Sequence, residues 1–339
     1  MKLITFAVPC YNSAEYMDKC INSLLIAGEE AEIIIVNDGS TKDNTAEIAD
    51  RYAKDYPSII KVIHKENGGH GDAVNDGIKN ATGKYYKVVD SDDWVEEKAL
   101  KKLMDTLRSF NEENSPQVVL SNYVYEYTFN NTQRVVDYRK NFPIDKVFNF
   151  EQIKKLEVGK FIAMHSVTYK TEFLREVKLE LPKHCFYVDN VFVYLPLMRA
   201  KTFYYIDVDF YRYFIGRPDQ SVAENIIMKR IDQHIKVTKI LIESFDINTI
   251  EKTQPKLYKY SLAYLSIMMT INSIYLIKIG TEESWQKKKE LWDYLKERDI
   301  KTYKRCKYRF TGLVATENRF VGWICKVIYT VVRKIFKFN

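Results

Sequence analysis

Residues 87–95, KVVDSDDWV, place three aspartates directly after an apolar segment. The apolar segment, YYKVV at 85–89, is typical of a buried β-strand, and the aspartates that follow it are Asp90, Asp92 and Asp93. Carboxylates this close in sequence repel one another unless positive charge lies among them. The stretch therefore predicts a strand that ends at a binding site for a cation.

Strand and helix patterns alternate on both sides of this stretch, through the first third of the chain. Apolar, β-branched runs predict strands at 3–9, 32–40, 59–66 and 85–89. Segments with helical spacing predict helices at 15–28, 43–56, 70–83 and 96–110. Such alternation is typical of βαβ units, and strands that are apolar throughout fit a sheet covered on both sides. We predict an α/β fold with a mainly parallel sheet flanked by helices.

The pattern changes after residue 115. Residues 117–129 alternate with period two, 150–220 mix strand and helix patterns, and 221–295 have helical spacing. We expect three regions, which are residues 1–115, 116–222 and a helical C-terminal region of residues 223–339. Residues 261–277 carry no charge, but Ser266, Thr270, Asn272 and Ser273 interrupt them, so a buried helix is favoured over a membrane span.

The composition favours a cytosolic protein with a sizeable core. The chain has 339 residues, of which 46% are hydrophobic and 14% aromatic. Its five cysteines are scattered and form no CxxC pair, which argues against a zinc site and against a disulfide framework. The N-terminal apolar run ends at Asn12 and is too short for a secretory signal. The net charge of +7 is concentrated in residues 301–339, which hold ten basic residues and one acid, Glu317.

All four predicted strands end in polar residues, at 9–12, 37–40, 66–69 and 90–93. In an open parallel sheet, ligands bind at these carboxyl ends. A nucleotide would fit such a pocket, but the chain has neither GxGxxG after its first strand nor a GxxxxGK(S/T) loop. The phosphates would then need a metal ion, and oxygen ligands favour Mg²⁺ or Mn²⁺. We expect this ion at Asp92 and the nucleoside near Asp90.

A helix N-cap is the alternative role for the aspartate cluster. An aspartate before WVEEKALKKL is favourable at a helix start. Capping would suffice for Asp93, but it would leave Asp90, Asp92 and the other polar strand ends unexplained.

Three stretches resemble the motifs of family 2 glycosyltransferases, the large inverting group with a GT-A fold. They are VPCYN at 8–12, VNDGSTKDNT at 36–45 and ENGGHGDAVNDGIKNATGKYYKVVDSDDWV at 66–95. The resemblance is strong over residues 3–110, moderate over 160–222 and absent beyond. It implies a GT-A fold and a bacterial enzyme of cell-envelope or polysaccharide synthesis. It departs from the family at His70-Gly71-Asp72, where many members carry leucine, serine or a basic residue.

The resemblance also implies roles for the strand-end residues. The residues implied to contact the nucleotide sugar are Pro9, Tyr11, Asn12, Asp38, Gly69, Asp72 and Asp90. Among them, Asp38 would accept a hydrogen bond from the base, usually uracil, and Asp90 would contact the ribose. The implied metal, Mn²⁺ or Mg²⁺, would bind Asp92, and the implied donor is a UDP-sugar. The alternatives are structural, because Pro9 could merely end a strand, Tyr11 could pack, and Asp38-Gly39 could form a turn.

Inverting transfer needs a base beside the acceptor hydroxyl, and a partly desolvated carboxylate suits that role. The family places it at the start of a helix in the second half of the domain, where this chain has Asp189 in CFYVDNVFVYLPLM, residues 185–198. Helix capping is the alternative role for Asp189. Asp207 and Asp209 form a DxD-like sequence, but they lie inside a strand pattern and are not expected to bind the metal.

Residues 211–222, YRYFIGRPDQSV, resemble the family's segment that folds over the diphosphate. Arg217 would supply positive charge to the leaving group, and Gln220 and Ser221 would supply hydrogen bonds. Arg212 is the alternative cation, and a plain surface loop is the alternative for the whole segment. The histidines that could face the acceptor, although lone histidines more often have other roles, are His165 and His184.

Residues 319–338, RFVGWICKVIYTVVRKIFKF, predict a basic amphipathic helix. Basic residues at 319, 326, 333 and 337 fall along one face, and large apolar side chains take the other. With its tryptophan, such a helix suits an anionic membrane surface and is too charged to span a bilayer. The alternative is a helix docked on the protein or at a dimer interface. Nucleic acid is not expected as a partner.

These features predict a cytoplasmic enzyme that is peripheral on the inner face of the plasma membrane. It would transfer a sugar, with inversion and metal assistance, from a UDP-sugar to a hydroxyl of a glycan, a lipid-linked saccharide or a cell-wall polymer. The competing interpretations are a catalytically silent nucleotide- or glycan-binding module at a membrane, a nucleotidyltransferase, and a membrane-anchored scaffold. The first would have lost a key carboxylate, the second would need a basic glycine-rich loop after the first strand, and the third leaves the strand-end carboxylates unexplained. The sequence does not decide whether the protein forms a homo-oligomer through residues 221–300.

Overall fold

One mixed sheet organises the N-terminal part of the chain in the computed structural model. The structure describes residues 2–111, 114–157, 159–216, 224–244 and 247–336. The chain divides into two compact units, Met1–Gly216 and Arg217–Asn339, and the sheet belongs to the first of them. The described strands of this sheet are β1 Ile4–Cys10, β2 Ala31–Asp38, β3 Ile60–Lys65, β4 Tyr85–Val88, β5 Trp94–Val95, β6 Val118–Tyr127, β7 Thr132–Val136, β8 Val147–Phe148, β9 Val167–Lys170 and β10 Phe203–Ile215.

The strand order across the sheet is β3-β2-β1-β4-β9-β6-β10-β5, with β7 paired to β6 and β8 paired to β10. The neighbours β3, β2, β1 and β4 are parallel, and so are β6 and β10. Strand β9 lies antiparallel between β4 and β6, so β6 and β10 run in the same direction as β1 to β4. The predicted mainly parallel sheet is confirmed, and the carboxyl ends of its longer strands lie at one edge.

Helices connect the parallel strands and cover the sheet. Those of the first unit are α1 Met17–Leu25, α2 Thr45–Asp55, α3 His70–Asn80, α4 Glu97–Ser109, α5 Thr171–Glu176 and α6 Asp189–Leu197, with short 3₁₀ turns at Gly28–Glu30, Phe150–Gln152 and Met164–Ser166. The four strands and four helices predicted before residue 110 are confirmed, with shifts of a few residues at their ends. Every residue of β1 and β2 is buried, as strands covered on both faces require.

Strands β6 and β10 extend beyond the rest of the sheet at its carboxyl edge. Through β9, Tyr86 of β4 aligns with Val118 at the start of β6. Strand β4 ends soon afterwards at Val88, whereas β6 continues to Tyr127 alongside β10. The extension forms a wall beside the loop that follows β4.

The C-terminal unit is helical in its described residues, as predicted. Its helices are α7 Glu224–Lys229, α8 Ile231–Ser244, α9 Ile247–Thr253, α10 Pro255–Ile279, α11 Glu282–Arg298, α12 Ile300–Lys307 and α13 Arg319–Phe336, with a 3₁₀ segment at Phe310–Ala315. Among the described helices, α10 alone is long and apolar enough to cross a membrane by length and composition, and 67% of its most apolar stretch is buried within the protein. That burial favours the predicted core helix over a span.

Helix α13 presents different faces to the protein and to solvent. On one face Gly322 packs against Trp285, Cys325 is buried, and the hydroxyl of Tyr329 lies 3.3 Å from that of Tyr275. The large apolar side chains that are at least 36% exposed are Phe320, Trp323, Ile324, Val327, Ile328 and Val331. The helix is therefore docked, as one alternative predicted, and still leaves a contiguous apolar face uncovered in the described structure.

Candidate active site

The loops after β1, β2 and β4 meet at the carboxyl edge because these strands are neighbours. Pro9 is buried within β1, and Tyr11, just beyond it, is 50% exposed. Asn12 has a φ of +50°, which is uncommon for a residue with a side chain. Its amide oxygen accepts hydrogen bonds from the backbone N–H groups of Thr41 (3.2 Å) and Lys42 (3.1 Å). Asn12 thus fixes the loop after β2, and the roles of all three residues toward a base or ribose stay predictions.

Asp38, at the end of β2, organises the loop after β3. Its buried carboxylate accepts hydrogen bonds from the backbone N–H groups of Gly68 and Gly69, both at 2.8 Å. It also accepts bonds from the side chains of Asn67 (3.1 Å) and Lys65 (3.1 Å). Four donors on one carboxylate hold residues 67–69 in place, and the predicted contact of Asp38 with a base remains untested.

Lys65 is a member of the site that the sequence did not reveal. Its ammonium group lies 3.1 Å from Asp38 and 2.6 Å from Asp72, and its side chain is only 14% exposed. Burial alone would raise the pKa of Asp72, but hydrogen bonds from Lys65 and from Lys183 (3.2 Å) outweigh it and lower that pKa. Asp72 is therefore ionised and held by two lysines. A lysine at the end of a predicted strand was the only signal, and it did not identify the partners.

Glycines allow the loop after β3 to approach its neighbours closely. Gly69 has a φ of +85°, and a Cβ there would lie 3.1 Å from the backbone nitrogen of His184. The carbonyl of Gly68 accepts a 2.6 Å hydrogen bond from the same His184 nitrogen. A Cβ on Gly68 would lie 2.1 Å from an oxygen of Asp72. The segment after β3 and the loop before α6 are therefore in direct contact, and side chains at these two positions would separate them.

Asp93 is structural, although it does not cap a helix. Its buried carboxylate accepts hydrogen bonds from the Tyr211 hydroxyl (2.6 Å) and the Phe214 backbone N–H (2.8 Å), both on β10. Burial, and then its neighbouring aspartates, raise the pKa of Asp93 well above its ordinary value. The N-cap of α4 is Glu96, whose side chain accepts from Ala99 N–H at 2.7 Å. The capping alternative for Asp93 is therefore wrong, because the helix begins farther along the chain.

Asp90 has a histidine partner within the protein. The Nε2 atom of His70 lies 2.7 Å from an oxygen of Asp90. Desolvation lowers the pKa of His70, but the charges of Asp90, Asp189 and Asp92 more than reverse this, and the net pKa is raised. When protonated, His70 supplies part of the positive charge expected beside the aspartates. This histidine lies at the position where the sequence departs from the family that it resembles.

The carboxylates at the end of β4 have the chemistry to hold a divalent cation. Ligand atoms of Asp90, Asp93 and His165 lie within 4.8 Å of one another in the described structure. Both oxygens of Asp93 already accept hydrogen bonds from β10, however, and the ring of His165 packs among tyrosines. Asp90 and Asp92 are half-buried, and carboxylate oxygens are ligands that Mg²⁺ and Mn²⁺ prefer. The binding of an ion by Asp92 stays a prediction.

Lys87 and His165 lie beneath the aspartates. Lys87, in β4, is fully buried and donates hydrogen bonds to the carbonyls of His165 (2.9 Å) and Val167 (3.0 Å). Burial lowers the pKa of Lys87 to about 7 and the pKa of His165 to about 4. His165 is therefore neutral near pH 7, and its Nδ1 atom is buried without a hydrogen-bond partner. The only sequence signal for Lys87 was a lysine within an apolar strand.

Asp189 is the first residue of α6, and the N-cap position belongs to Val188. The capping alternative for Asp189 is thus wrong. The side chain of Asp189 is exposed, yet the surrounding protein desolvates it and raises its pKa, while His70 opposes the increase. The residue before the cap, Tyr187, has a φ of +67°, a strained conformation that is typical of functional loops. A reachable carboxylate with a raised pKa is suited to accept a proton.

The loop before α6 is joined to α3 by a side-chain amide. Asn75 donates to the carbonyl of Leu181 and accepts from its N–H, both at 2.9 Å. His184, farther along this loop, is exposed and has a φ of +48°. The connection sets the position of Asp189 relative to His70, which begins α3.

Asp207 and Asp209 lie within β10, as predicted, and both accept hydrogen bonds from Asn122 (2.9 and 3.0 Å). Arg212, the alternative cation for the leaving group, forms an ion pair with Glu126 at 3.0 Å.

The predicted loop residues that lie outside the described structure are Arg217, Gln220 and Ser221.

Solved structures identify the fold as that of GT-A glycosyltransferases. Staphylococcus aureus TarS matches 90% of this chain, with a TM-score of 0.57 and 20% sequence identity, and the match covers 55% of TarS. Residues 1–349 of TarS in complex with UDP-GlcNAc match with a TM-score of 0.51 and 19% identity, over 90% of both chains. The Pyrobaculum calidifontis mannosyltransferase PcManGT, in complex with GDP-Man and Mn²⁺, matches 96% of this chain and 86% of its own, with a TM-score of 0.50 and 14% identity.

The sequence comparisons then give the family. Residues 5–175 match the model of "Glycosyl transferase family 2", and the chain belongs to this family. The uncharacterized glycosyltransferase EpsJ of Bacillus subtilis is 30% identical over 69% of this chain and 67% of its own length. Glycosyltransferase GlyG of Streptococcus pneumoniae is 40% identical over 37% of this chain and 40% of its own. The chain is therefore a glycosyltransferase, as its motifs predicted.

Proposed function

We propose that the protein transfers a sugar, with inversion, from a UDP-sugar to a hydroxyl of a glycan, a lipid-linked saccharide or a cell-wall polymer. One observation carries the proposal. The ring of His70, at the start of α3, lies 2.7 Å from Asp90. Two hydrogen bonds, from the His184 N–H to the Gly68 carbonyl and from Asn75 to the Leu181 carbonyl, join the segment around α3 to the loop that leads to Asp189. Carboxylates suited to a metal–diphosphate and a separate carboxylate suited to a hydroxyl proton thus face a common space.

The donor is proposed to be bound by residues 1–115. TarS binds UDP and UDP-GlcNAc in its solved complexes, whereas PcManGT binds GDP-Man, so the fold accepts either class of base. The motif resemblance favours UDP here. In this proposal Pro9, Tyr11 and Asn12 line the base and ribose, and Asp90 contacts the ribose.

The loop after β3 would form the donor side of the site. Asp38 holds Gly68 and Gly69 by their N–H groups, which fixes Gly69 beside the bound sugar nucleotide. Asp72 stays ionised between its two lysines. Arg217, Gln220 and Ser221 are proposed to contact the diphosphate.

Asp92 would hold the Mn²⁺ or Mg²⁺ ion, and Asp90 would lie beside it at the ribose. When bound, such an ion neutralises the charge that develops on the diphosphate as it leaves. His70 fixes the orientation of Asp90 through its 2.7 Å contact.

Asp189 is proposed as the base, and the acceptor half of the site is assigned to residues 116–222. Its raised pKa places its affinity for a proton above that of an ordinary aspartate. It would remove the proton from the acceptor hydroxyl as the oxygen attacks the anomeric carbon on the face opposite the diphosphate. An α-linked donor would then give a β-glycoside.

The proposal is tested by titrating the purified full chain with UDP in a calorimeter, with Mn²⁺ and with EDTA. Wild-type protein should bind in Mn²⁺ at least about tenfold more tightly than Asp92→Ala, because the variant loses a metal ligand. EDTA should remove the difference between the two proteins. Asp105→Ala, which removes an exposed carboxylate from α4, is the control and should bind like wild type. Absence of UDP binding by the wild type under both conditions would contradict the UDP assignment.

We further propose that α13 attaches the enzyme to an anionic membrane on the cytoplasmic side. The uncovered apolar face includes Trp323 (59% exposed) and Phe320 (68% exposed), and Lys326 is also exposed. Apolar side chains that enter the interface, next to cations that attract acidic lipids, are the requirement for peripheral binding. Docking by the Gly322 face leaves this apolar surface available.

Membrane attachment is tested by sedimentation with vesicles of phosphatidylcholine and phosphatidylglycerol. The Phe320→Ser/Trp323→Ser variant should bind these vesicles about tenfold or more weakly, because two apolar side chains no longer enter the interface. Ile26→Ser removes an exposed apolar residue of α1's C-terminal boundary and should leave binding unchanged. Equal binding of wild type and the double variant would show that α13 is not the attachment site.

A further inference from the structure

We propose that a row of aromatic rings on the β6/β10 wall binds pyranose rings of the acceptor glycan. This inference rests on the proposed function and assigns the acceptor surface that the function requires. It concerns residues that neither the motifs nor the comparisons identify. The rings, called the aromatic row below, are those of Tyr123, Tyr125, Tyr127, Phe129 and Tyr213.

The row follows from the strand period. Tyr123, Tyr125 and Tyr127 alternate along β6 and therefore project to the same face of the sheet. Successive ring centroids are 5.4 and 6.2 Å apart, and Phe129 continues the series 5.8 Å beyond Tyr127. On the neighbouring strand, Tyr213 pairs with Tyr125 and lies 5.6 Å from it, ring to ring.

The row begins at the catalytic carboxylates. The ring of His165 lies 4.5 Å from that of Tyr213 and 5.4 Å from that of Tyr123. A ligand atom of His165 is within 4.8 Å of Asp90. Because His165 links the row to the end of β4, the aromatic surface is continuous with the proposed site of sugar transfer.

Exposure increases with distance from the carboxylates. Tyr123 is 6% exposed, Tyr125 and Tyr127 are half-buried, and Phe129 is 70% exposed. The row therefore leads from the site to solvent along the part of β6 that extends beyond β4. An aromatic surface that is partly buried near a site and opens to solvent farther out is suited to bind a ligand.

The chemistry of the row suits a sugar. The axial C–H groups of a pyranose carry partial positive charge and pack on the electron-rich faces of aromatic rings. Tyrosine hydroxyls can also bond sugar hydroxyls at the ring edges. Arg134 of β7 pairs with Tyr125 in the sheet register and is exposed. An acceptor with an acidic substituent would therefore be favoured on this face.

The test probes an array of immobilised bacterial polysaccharides and oligosaccharides with the labelled full chain. The wild type should be retained on a subset of these glycans. Phe129→Ala and Tyr127→Ala should each weaken retention about tenfold, as expected for the loss of one stacked ring. Val135→Ala is the matched control, because Val135 is 43% exposed on β7 and pairs with Val124 on the opposite face of the sheet.

Two results would overturn the inference. One is retention of both variants at the wild-type level. The other is failure of the wild type to bind any arrayed glycan while it still binds UDP in the calorimeter. In that second case the proposed donor chemistry would stand and only the aromatic row would lose its assigned role. Loss of both UDP and glycan binding would instead contradict the proposed function.

Discussion

Asp189→Asn should reduce sugar transfer by roughly 10²–10⁴-fold while leaving UDP binding within about twofold of wild type. The amide keeps the size of the side chain and its place at the start of α6, but it cannot accept the proton of an acceptor hydroxyl. Turnover is measured as UDP release in the presence of acceptor, and donor affinity by calorimetry. A matched control is Glu180→Gln, which neutralises an exposed carboxylate in the preceding loop and should retain full activity.

The pH profile gives a second test of Asp189. The base must be ionised to act, so the rate should fall as the pH drops through the pKa of Asp189. Because desolvation raises this pKa, the acid limb should lie at a higher pH than the ordinary aspartate value of 3.8. The Asn variant should lose this limb. A variant that keeps wild-type turnover would exclude Asp189 as the base.

Lys65→Met should lower the free energy of unfolding by about 3 kcal/mol, because two largely buried carboxylates lose a shared cation. Asp38 and Asp72 have side chains that are 3% and 10% exposed. Asp38 retains its hydrogen bonds from the loop N–H groups, and Asp72 retains its ion pair with Lys183. The loss of stability should therefore lie at the lower end of the range for a broken buried ion pair. The measurement is urea unfolding of the full chain at pH 7. Lys61→Met, on the same strand, replaces an exposed lysine bonded to Asn80 and should change stability by less than about 0.5 kcal/mol.

The loss of stability caused by Lys65→Met should depend on pH in a direction that the pKa shifts define. The pKa of Asp72 is lowered in the folded state, so its contribution is present above the ordinary value of 3.8 and is lost as the pH falls through the folded pKa. The pKa of Lys65 is raised, so its contribution is complete below the ordinary value of 10.5 and is lost as the pH rises through the folded pKa. The difference between wild type and Lys65→Met should therefore be largest between these values and shrink in acid. An undiminished difference well below pH 3.8 would point to packing as its cause.

The sequence predicted the first half of the fold well because its strands are buried on both faces. Runs such as ITFAV and EIIIV are typical of strands in a covered sheet, and turn residues mark their ends. The rule that parallel strands present their carboxyl ends at one edge then predicted that the polar strand ends lie close together. That reasoning identified Asp90 and Asp92 as candidate site residues. Asp189 became a candidate only through the resemblance to the family.

Partners that are distant in sequence could not be predicted in the same way. The pairing of His70 with Asp90, and of Lys65 with two aspartates, depends on how loops close over the edge of the sheet. The capping roles considered for Asp93 and Asp189 were wrong for a local reason, since each helix begins one or more residues away from the position that capping would need. The period-two pattern of residues 117–129 already placed the tyrosines of the aromatic row on one face of a strand. Only the register with β10 shows that this row leads to the carboxylates.

The contacts between α3 and the loop before α6 also bear on the order in which the enzyme is assembled. The amide of Asn75 bonds Leu181, and the carbonyl of Gly68 bonds the N–H of His184, more than a hundred positions later in the chain. During synthesis, β1 to β4 emerge from the ribosome long before these partners do. A nascent chain that stops at residue 175 would carry the aspartates proposed to bind the donor, but it would lack the loop before α6, whose His184 N–H bonds the Gly68 carbonyl. We therefore expect the nucleotide pocket to be completed late in synthesis, after α6 has emerged.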